Sequence, residues 1–397
     1  MSRRPIARSP DLSRLLAEGY DIAIRAGHLV VSRIPYVTAA KAAVAYGTLI
    51  TRLNLQDDKT KAPDDHTILF AGQYPCDKDG RPIEGIRNTS QPVKIAEGLV
   101  ADHRFSAKPQ PKGNYDNYYD KIVTYAGILS GPAMALDATV LPNPGAFVPA
   151  AEDDDSVFKY LDTASPRAEI TAATAKVEMR KVVIIGAGGS GSYVFDLVVK
   201  TPVEQIHTYD GDILHQHNAF RAPGAASGDE LAAEPKKVAY LEAIYSKMRR
   251  GIVPHPEHVD APNIDQLRDA DFVFVCIDDG PAKAFIIEKL EEFGRSFIDV
   301  GMGIFLQDEA LGGIVRVTTS TPAKRDHVRA KQRIPLSKVD DGNEYDRNIQ
   351  TAELNALNAA LAVIKWKKLC GFYIDLEKEH HSTYSIDGNE MTNEDPG

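Results

Sequence analysis

The chain has 397 residues, with 46 lysines and arginines against 56 aspartates and glutamates, so its formal net charge is −10. This length predicts two or three domains, and 43% hydrophobic with 26% charged residues is typical of a folded globular protein. No apolar run approaches the roughly 18 residues of a membrane span. The three cysteines, Cys76, Cys276 and Cys370, are too few and too dispersed for a disulfide framework or a paired-cysteine zinc site.

Charge is distributed unevenly along the chain. Residues 1–150 carry 18 basic and 15 acidic side chains, whereas residues 151–397 carry 28 and 41. The acidic C-terminal part argues against nucleic-acid binding, which requires a basic face. The basic N-terminus leads into Ser9-Pro10-Asp11 rather than an apolar stretch, so it does not predict a secretory signal. We therefore expect a protein of the reducing cytoplasm that binds neither nucleic acid nor membranes.

Residues 1–150 are predicted to form an α+β domain, whose role the sequence does not indicate. The predicted elements, in chain order, are a helix over 10–18 with Pro10 at its first position, a hairpin over 21–38, a helix over 39–53, a strand over 67–70 and a loop over 103–119. A stretch rich in proline, glycine and acidic residues follows at 142–156 and cannot bury much apolar surface. We therefore predict a linker at 151–164 between this domain and a second domain at 165–397.

The second domain alternates strands and helices. Predicted strands lie at 181–185, 205–209, 272–277, 296–300 and 312–317, and predicted helices at 191–200, 236–248, 281–293 and 351–369. The strands at 181–185 and 272–277 are continuous apolar runs, as in buried parallel sheets. This rhythm predicts a Rossmann-like, doubly wound α/β sheet.

A glycine loop follows the first of these strands. Gly186, Gly188 and Gly191 fit the pattern GxGxxG and open a helix at Ser192, where close backbone approach and a helix N-terminus favour a phosphate. Asp210 ends the next strand, where a carboxylate can bind ribose hydroxyls. A nicotinamide-dependent dehydrogenase would satisfy the same pattern, so the loop does not identify the ligand.

The residues after the second strand discriminate better. Asp210 and Asp212 are followed by Asn218 and Arg221, then by Lys236-Lys237, and Asp278 follows the third strand. Cations and an amide past the ribose-binding position suit the β- and γ-phosphates of ATP, and a carboxylate at a strand end can hold Mg²⁺. The set favours an enzyme that handles ATP over one that binds a dinucleotide.

These motifs strongly resemble the family of ubiquitin-activating enzymes and their bacterial relatives ThiF and MoeB. The match covers residues 165–320 firmly and 350–375 loosely, and carries the set Gly186–Ser192, Tyr209–Asp212, Asn218-x-x-Arg221, Pro235–Lys237 and Cys276–Asp279. The extended forms Lys200-Thr-Pro-Val203 and His217–Gly224 look like a bacterial subgroup of conjugation-like systems that carries an extra N-terminal domain.

The resemblance implies a role for each matched residue. Asp210 would hold the ATP ribose within a site that also includes Asp212 and the glycine loop, and Asp278 would bind Mg²⁺. Asn218, Arg221 and Lys237 would hold the phosphates. Lys237 is preferred to Lys236 because Val238, Leu241 and Tyr245 then share a helix face. Arg167 would reach the nucleotide of a partner subunit, which implies a homodimer.

The implied reaction is ATP- and Mg²⁺-dependent adenylation of the C-terminal carboxylate of a ubiquitin-like protein. The alternatives are activation of a sulfur-carrier protein for cofactor synthesis, or a nucleotide-bound scaffold without turnover. The resemblance also suggests a crossover segment at about 320–350, with a basic run from Lys324 to Arg333, and leaves room for a conjugating-enzyme-like partner.

The chain departs from the family in its cysteines. The usual thioester segment has none, because no cysteine lies between Cys276 and Cys370. Both of these are expected to be structural. Cys76, in a turn-like sequence predicted to be exposed, is a weak acceptor, since Asp77 and Asp79 beside it would raise its pKa. We therefore expect an enzyme that stops at the adenylate or passes it to another protein.

Overall fold

The computed structural model describes residues 4–40, 44–56, 59–143, 156–160, 162, 164–168, 170–337 and 349–397, without the side chains of Arg4, Ala7, Pro166, Arg167 and Thr171. It divides into two compact units, Met1–Ala172 and Ala173–Gly397. Half of the predicted linker at 151–164 lies outside the described residues, and so does the part of the predicted crossover segment at 338–348. None of the described helices is both long and apolar enough to cross a membrane.

The first unit is an antiparallel sheet with a long helix on one face. Its helices are α1 (Arg4–Arg8), α2 (Pro10–Ala17), α3 (Tyr118–Leu136) and α4 (Ala164–Arg167). Its strands are β1 (Asp21–Arg25), β2 (His28–Val37), β3 (Val44–Arg52), β4 (Leu55–Gln56), β5 (Lys59–Thr60), β6 (Thr67–Ala71), β7 (Arg87–Thr89), β8 (Val93–Ala96), β9 (Leu99–Ala101) and β10 (His103–Ser106), with a 3₁₀ turn at Glu84–Ile86. The main sheet has the order β1-β2-β3-β6-β10-β7.

The core of this unit forms where α3 covers the sheet. Tyr118, Ile122, Tyr125 and Leu129 recur at helical spacing and are fully buried against the sheet's apolar side chains. The hydroxyl of Tyr125 donates to the carbonyl of His66 at 2.6 Å, so the polar end of this buried ring is satisfied.

Two sequence predictions in this unit are wrong. Residues 39–53 are predicted to be helical, but Val44–Arg52 is β3, hydrogen-bonded between β2 and β6. Gly47 lies so close to Phe70 that an added Cβ would be 2.2 Å from its ring, so sheet packing overrides local propensity here. The loop expected at 103–119 instead begins as β10 and ends in α3.

The prediction that Cys76 is exposed is also wrong. Its side chain is 1% exposed, and its backbone N–H donates to the carbonyl of Val37 at 2.8 Å. Burial, and next the charge of Asp77, raise the pKa of the Cys76 thiol. A buried, protonated thiol is a poor nucleophile.

The second unit is the predicted α/β domain. Its helices are α5 (Thr171–Thr174, which begins in the first unit), α6 (Gly189–Val198), α7 (Gln216–Ala219), α8 (Gly228–Ala232), α9 (Lys237–Tyr245), α10 (Gly280–Glu292), α11 (Asp326–Ala330) and α12 (Ala352–Leu369), with 3₁₀ turns at Ala175–Val177 and Ile264–Leu267. Its strands are β11 (Lys181–Ile185), β12 (Gln205–Tyr209), β13 (Ile252–His255), β14 (Phe272–Val275), β15 (Phe297–Gln307), β16 (Ala310–Ser320), β17 (His381–Ser385) and β18 (Glu390–Glu394).

These strands form one sheet in the order β13-β12-β11-β14-β15-β16-β17-β18. The pairs from β13 to β15 are parallel, and those from β15 to β18 are antiparallel. Alternate residues of β11 face opposite cores: Val182 and Ile184 pack with α6 and α12, and Val183 and Ile185 pack with α10. Apolar cores on both faces explain why β11 is apolar throughout. The predicted fold class, a doubly wound α/β domain with an N-terminal α+β domain, is confirmed.

Candidate active site

The candidate site lies at the carboxyl edge of the parallel strands. β11, β12 and β14 end side by side in register, and the glycine loop, Asp210 and Cys276–Asp279 follow them directly. The chain passes from β11 to β12 on one side and later to β14 on the other, so the edge beside β11 is a topological switch point. Open α/β sheets bind ligands at such points.

The three glycines of the GxGxxG pattern differ in what an added side chain would contact. Gly186 has φ +93°, and a Cβ added there would lie 2.7 Å from the carbonyl oxygen of Cys276. A Cβ on Gly191 would lie 1.9 Å from the carbonyl oxygen of Gly186, so both positions require glycine to close the turn. Apart from the neighbouring residues of the chain, no described heavy atom lies within 4 Å of a Cβ placed on Gly188, the N-cap of α6. The space at Gly188 faces the start of a helix, where the first N–H groups have no partner within the helix.

The predicted site residue Ser192 is turned away from that space. Its side chain is 1% exposed, and its hydroxyl donates to the carbonyl of Gly189 at 2.8 Å. In this arrangement it supports the first turn of α6.

Asp210 joins two strand ends. One carboxylate oxygen accepts the N–H of Ala187, inside the glycine loop, at 2.7 Å, and the other accepts the N–H of Asp212 at 2.9 Å. The residue is 6% exposed. The glycine loop is therefore held to the end of β12 by a carboxylate whose orientation two backbone bonds define.

The neighbouring lysines of Pro235–Lys237 have different surroundings. Lys237 is 9% exposed, and its ammonium nitrogen lies 2.7 Å from Asp212 Oδ2 and 3.8 Å from Asp210 Oδ1. Its hydrogen bond lowers the pKa of Asp212. Lys236 is exposed and donates to the carbonyl of Gly211. Lys237 is thus the lysine packed beside both acids.

Asn218 and Arg221 form one turn. Asn218 is 4% exposed, its amide oxygen accepts the N–H of His215 at 2.9 Å, and its carbonyl accepts the N–H of Arg221 at 3.0 Å. Arg221 Nε is buried and has no hydrogen-bond partner among the described residues. His217 is exposed and stacks on His215 with 5.8 Å between ring centroids.

Asp278 and Asp279 follow β14 and are exposed. Asp279 is the N-cap of α10, and its side chain accepts the N–H of Ala282 at 2.9 Å. No group of three His, Cys, Asp or Glu side chains suited to a metal occurs in the described part of the chain. Mg²⁺ is commonly held by one or two carboxylates together with substrate phosphates, and Asp278 fits that mode.

A buried ion cluster next to the site was missed in the sequence. Asp299, on β15 opposite Val275, is fully buried, 2.8 Å from Lys283 Nζ and 2.7 Å from Arg316 Nη2. Two cationic side chains thus pair with the single carboxylate of Asp299. The interaction joins residues far apart in the chain, and no local pattern marks it.

Two predicted features remain, Arg167 and the basic run. Arg167 ends α4 in the first unit, and its side chain lies outside the described residues. The basic run is mainly paired within its own unit: Arg329 with Glu291, Lys331 with Asp395, and Arg333 with Glu394 and Asp395. Its bases contribute to local packing of the C-terminal strands.

Known families match both parts of the chain. The model of the ThiF family matches residues 165–365, just over half of the chain. The chain belongs to the ThiF family. Residues 10–163 match a domain of unknown function, DUF6791. Comparison with curated proteins gives no match.

Solved structures similar to this ThiF-family chain include E. coli MccB with ATP, at 17% identity over 59% of this chain and 68% of that one, with a TM-score of 0.44. MccB in complex with N-formylated MccA has 19% identity, the same coverages and a TM-score of 0.45. PaaA has 16% identity over 56% of this chain and 75% of its own, with a TM-score of 0.43. The chain covers about two thirds of the MccB chains.

Proposed function

We propose that this ThiF-family chain adenylates the C-terminal carboxylate of a ubiquitin-like protein in a bacterial conjugation-like system, using ATP and Mg²⁺. The observation that carries the nucleotide part is the bonding of Asp210, which holds the glycine loop and Asp212 while Lys237 lies beside both acids. The ubiquitin-like identity of the substrate rests on the extended motifs Lys200–Val203 and His217–Gly224.

The site divides by charge along the sheet edge. Asp210 at the end of β12 suits ribose hydroxyls, and the open space at Gly188 beside the start of α6 suits phosphates. Arg221 has a buried Nε without a hydrogen bond in the described part of the chain, and the charge of its guanidinium suits an anionic ligand. ATP would then run from β12 across the glycine loop toward β14.

Asp278 would hold Mg²⁺, which supplies charge neutralisation on the phosphates when bound. The chain's own groups do the rest: the glycine loop orients the phosphates, and Lys237 with Arg221 stabilises charge on the leaving pyrophosphate. An oxygen of the substrate carboxylate bonds to the α-phosphorus, and the bond from that phosphorus to the bridging oxygen breaks. Acyl-adenylate and pyrophosphate are the products, and no protein nucleophile is needed.

The reaction of this chain ends at the adenylate, or the adenylate passes to another protein. The three thiols support this part of the proposal. Burial raises the pKa of Cys76 and of Cys276, and it raises the pKa of Cys370 to about 11. None is poised as a thiolate nucleophile.

Two further parts of the proposal rest on the resemblance alone. The chain is a homodimer in which Arg167 reaches the partner's nucleotide. Residues 1–150 are an accessory module that recruits the substrate or a conjugating-enzyme-like protein.

The test is ATP–pyrophosphate exchange with a purified ubiquitin-like protein that ends in glycine. We expect exchange that depends on this partner and is lost in Asp278→Ala. Glu288→Ala is the matched control, because Glu288 is an exposed acid on α10, outside the site. Its exchange rate should equal that of the native chain.

Three results contradict the proposal in different ways. Binding of ATP and partner without exchange indicates a scaffold. Exchange that occurs only with a sulfur-carrier protein of cofactor synthesis indicates the other alternative. Equal loss in Asp278→Ala and Glu288→Ala removes Asp278 from the metal site.

A further inference from the structure

Helix α12 carries two asparagines one turn apart, and both are completely buried. Asn355 and Asn358 are each 0% exposed. Asparagine is a weak helix former, and burying an amide is unfavourable unless it forms hydrogen bonds. Their position within a helix that otherwise packs mainly through apolar side chains therefore requires a reason.

Asn355 joins three segments of the candidate site. Its amide oxygen accepts the hydroxyl of Ser190, in the first turn of α6, at 2.9 Å. Its amide nitrogen donates to the carbonyl of Arg221 at 3.3 Å. One side chain thus links α12, the helix start beside the glycine loop, and the backbone of the phosphate-binding arginine.

The contact also explains Gly189, the glycine of the loop that the GxGxxG pattern leaves out. A Cβ on Gly189 would lie 2.2 Å from Asn355 Nδ2 and 2.5 Å from Gln350 Oε1. Gly189 has ordinary backbone angles for a helix, so the close approach of α12 is what excludes a side chain.

We propose that Asn355 is a positioning residue for the triphosphate. It fixes the spacing between the first turn of α6 and the Arg221 turn, and it touches no reacting atom. This inference rests on the proposed function, because the two segments that it joins are those assigned to the phosphates. Asp210, assigned to the ribose, is bonded elsewhere.

This assignment predicts a difference between two ligands. In Asn355→Ala the dissociation constant for ATP should rise about tenfold, the upper range for a lost hydrogen bond. That for adenosine should change less than about twofold, because the ribose side keeps its bonds. Isothermal titration calorimetry with the full chain measures both.

Asn358→Ala is the matched control. Asn358 lies on the same helix with the same burial, but its amide nitrogen donates to the carbonyl of Gly301 at 3.0 Å rather than to the glycine loop. We expect both variants to lose similar thermal stability, and only Asn355→Ala to separate ATP from adenosine.

A second variant keeps the inference testable should Asn355→Ala fail to fold. Gly189→Ala should weaken ATP more than adenosine, because the added methyl displaces the Asn355 amide. In the double variant Gly189→Ala/Asn355→Ala the methyl has more room. The loss of ATP-binding free energy in the double variant should therefore be smaller than the sum of the losses in the two single variants.

The outcomes separate this inference from the proposed function. A native chain that binds no ATP overturns both. A native chain that binds ATP, with Asn355→Ala weakening ATP and adenosine equally or matching Asn358→Ala, overturns the positioning role alone. Full additivity of Gly189→Ala and Asn355→Ala would also contradict it.

Discussion

Lys237 and Lys236 are adjacent in the chain, yet their ammonium groups have different surroundings. Lys237 is buried beside two carboxylates, whereas Lys236 is exposed and bonded to one carbonyl. Replacing Lys237 by methionine leaves Asp210 and Asp212 without their cation and removes a charge assigned to the phosphates. Both effects disfavour an anionic ligand.

We expect Lys237→Met to weaken ATP binding at least about tenfold, and Lys236→Met to weaken it less than about threefold. Calorimetric titration of the two variants with ATP checks this. Similar losses in both would remove the distinction between the lysines.

At the scale of single residues, the sequence predicted positions better than environments. The choice of Lys237 followed from one helix face, and the structure puts that lysine beside Asp210 and Asp212. The burial of Cys76 was not predictable, because it depends on direct backbone pairing with Val37, which is distant in the chain. The ion cluster at Asp299 escaped for the same reason: its partners come from α10 and β16.

At the scale of the element, alanine substitutions at Gly188 and Gly191 should affect different properties: stability at Gly191 and ligand binding at Gly188. Alanine at Gly191 would place its methyl 1.9 Å from the carbonyl oxygen of Gly186, whereas alanine at Gly188, apart from its neighbours in the chain, meets no described atom within 4 Å. Gly191→Ala should therefore lower the free energy of unfolding by about 1–3 kcal/mol, as overpacking does. Gly188→Ala should change it by less than about 1 kcal/mol, because its φ of −73° suits any residue.

The same pair should rank differently in ligand binding. Gly188→Ala should weaken ATP about tenfold despite its stability, because the methyl occupies the space assigned to phosphate. Urea unfolding and calorimetric titration of both variants check the two halves. An ATP affinity in Gly188→Ala equal to that of the native chain would mean that the phosphates lie elsewhere.

Elements were predictable where one local rule dominated. The buried parallel strands β11 and β14 were predictable from apolar runs that end in turn residues. The failures were elements fixed by distant partners. The sequence of β3 looks helical, and its strand structure depends on pairing with β2 and β6. The helix α3 was not predicted because Pro132 and two glycines interrupt its helical pattern. β17 and β18 are polar strands whose sequences show no apolar pattern; β17 pairs with β16, and β18 pairs with β17.

At the scale of the whole molecule, Trp366 reports on one unit alone. It is the single tryptophan and lies fully buried in the core between the sheet and α12, so its fluorescence follows the unfolding of the second unit. The same unit holds His381. Burial, and next the charges of Arg333 and Arg316, lower the pKa of His381 to about 4. Glu394 and Asp395 act in the opposite direction, and Thr318 shares a hydrogen bond with the ring at 3.0 Å.

This predicts a loss of stability in acid. Between pH 6.5 and about 4 the unfolded chain binds a proton at His381 that the folded chain does not, so stability falls as pH falls through this window. His381→Gln removes that proton and keeps a partner for Thr318. The urea midpoint of Trp366 fluorescence should therefore fall less in the variant than in the native chain between pH 6.5 and 4.5. Parallel curves would contradict the buried neutral histidine.

The hydrogen bond between Ser190 and Asn355 joins residues 165 positions apart, so it can form only late in the synthesis of the chain. A ribosome releases the glycine loop long before α12 exists, and domains generally fold as they emerge, N-terminal first. The first unit and the strands up to β15 are therefore available early, while the nucleotide cleft stays incomplete until the last large helix docks. Under the proposed function, a growing chain that has not yet reached α12 lacks Asn355 and should bind ATP more weakly than a chain whose translation has passed this helix.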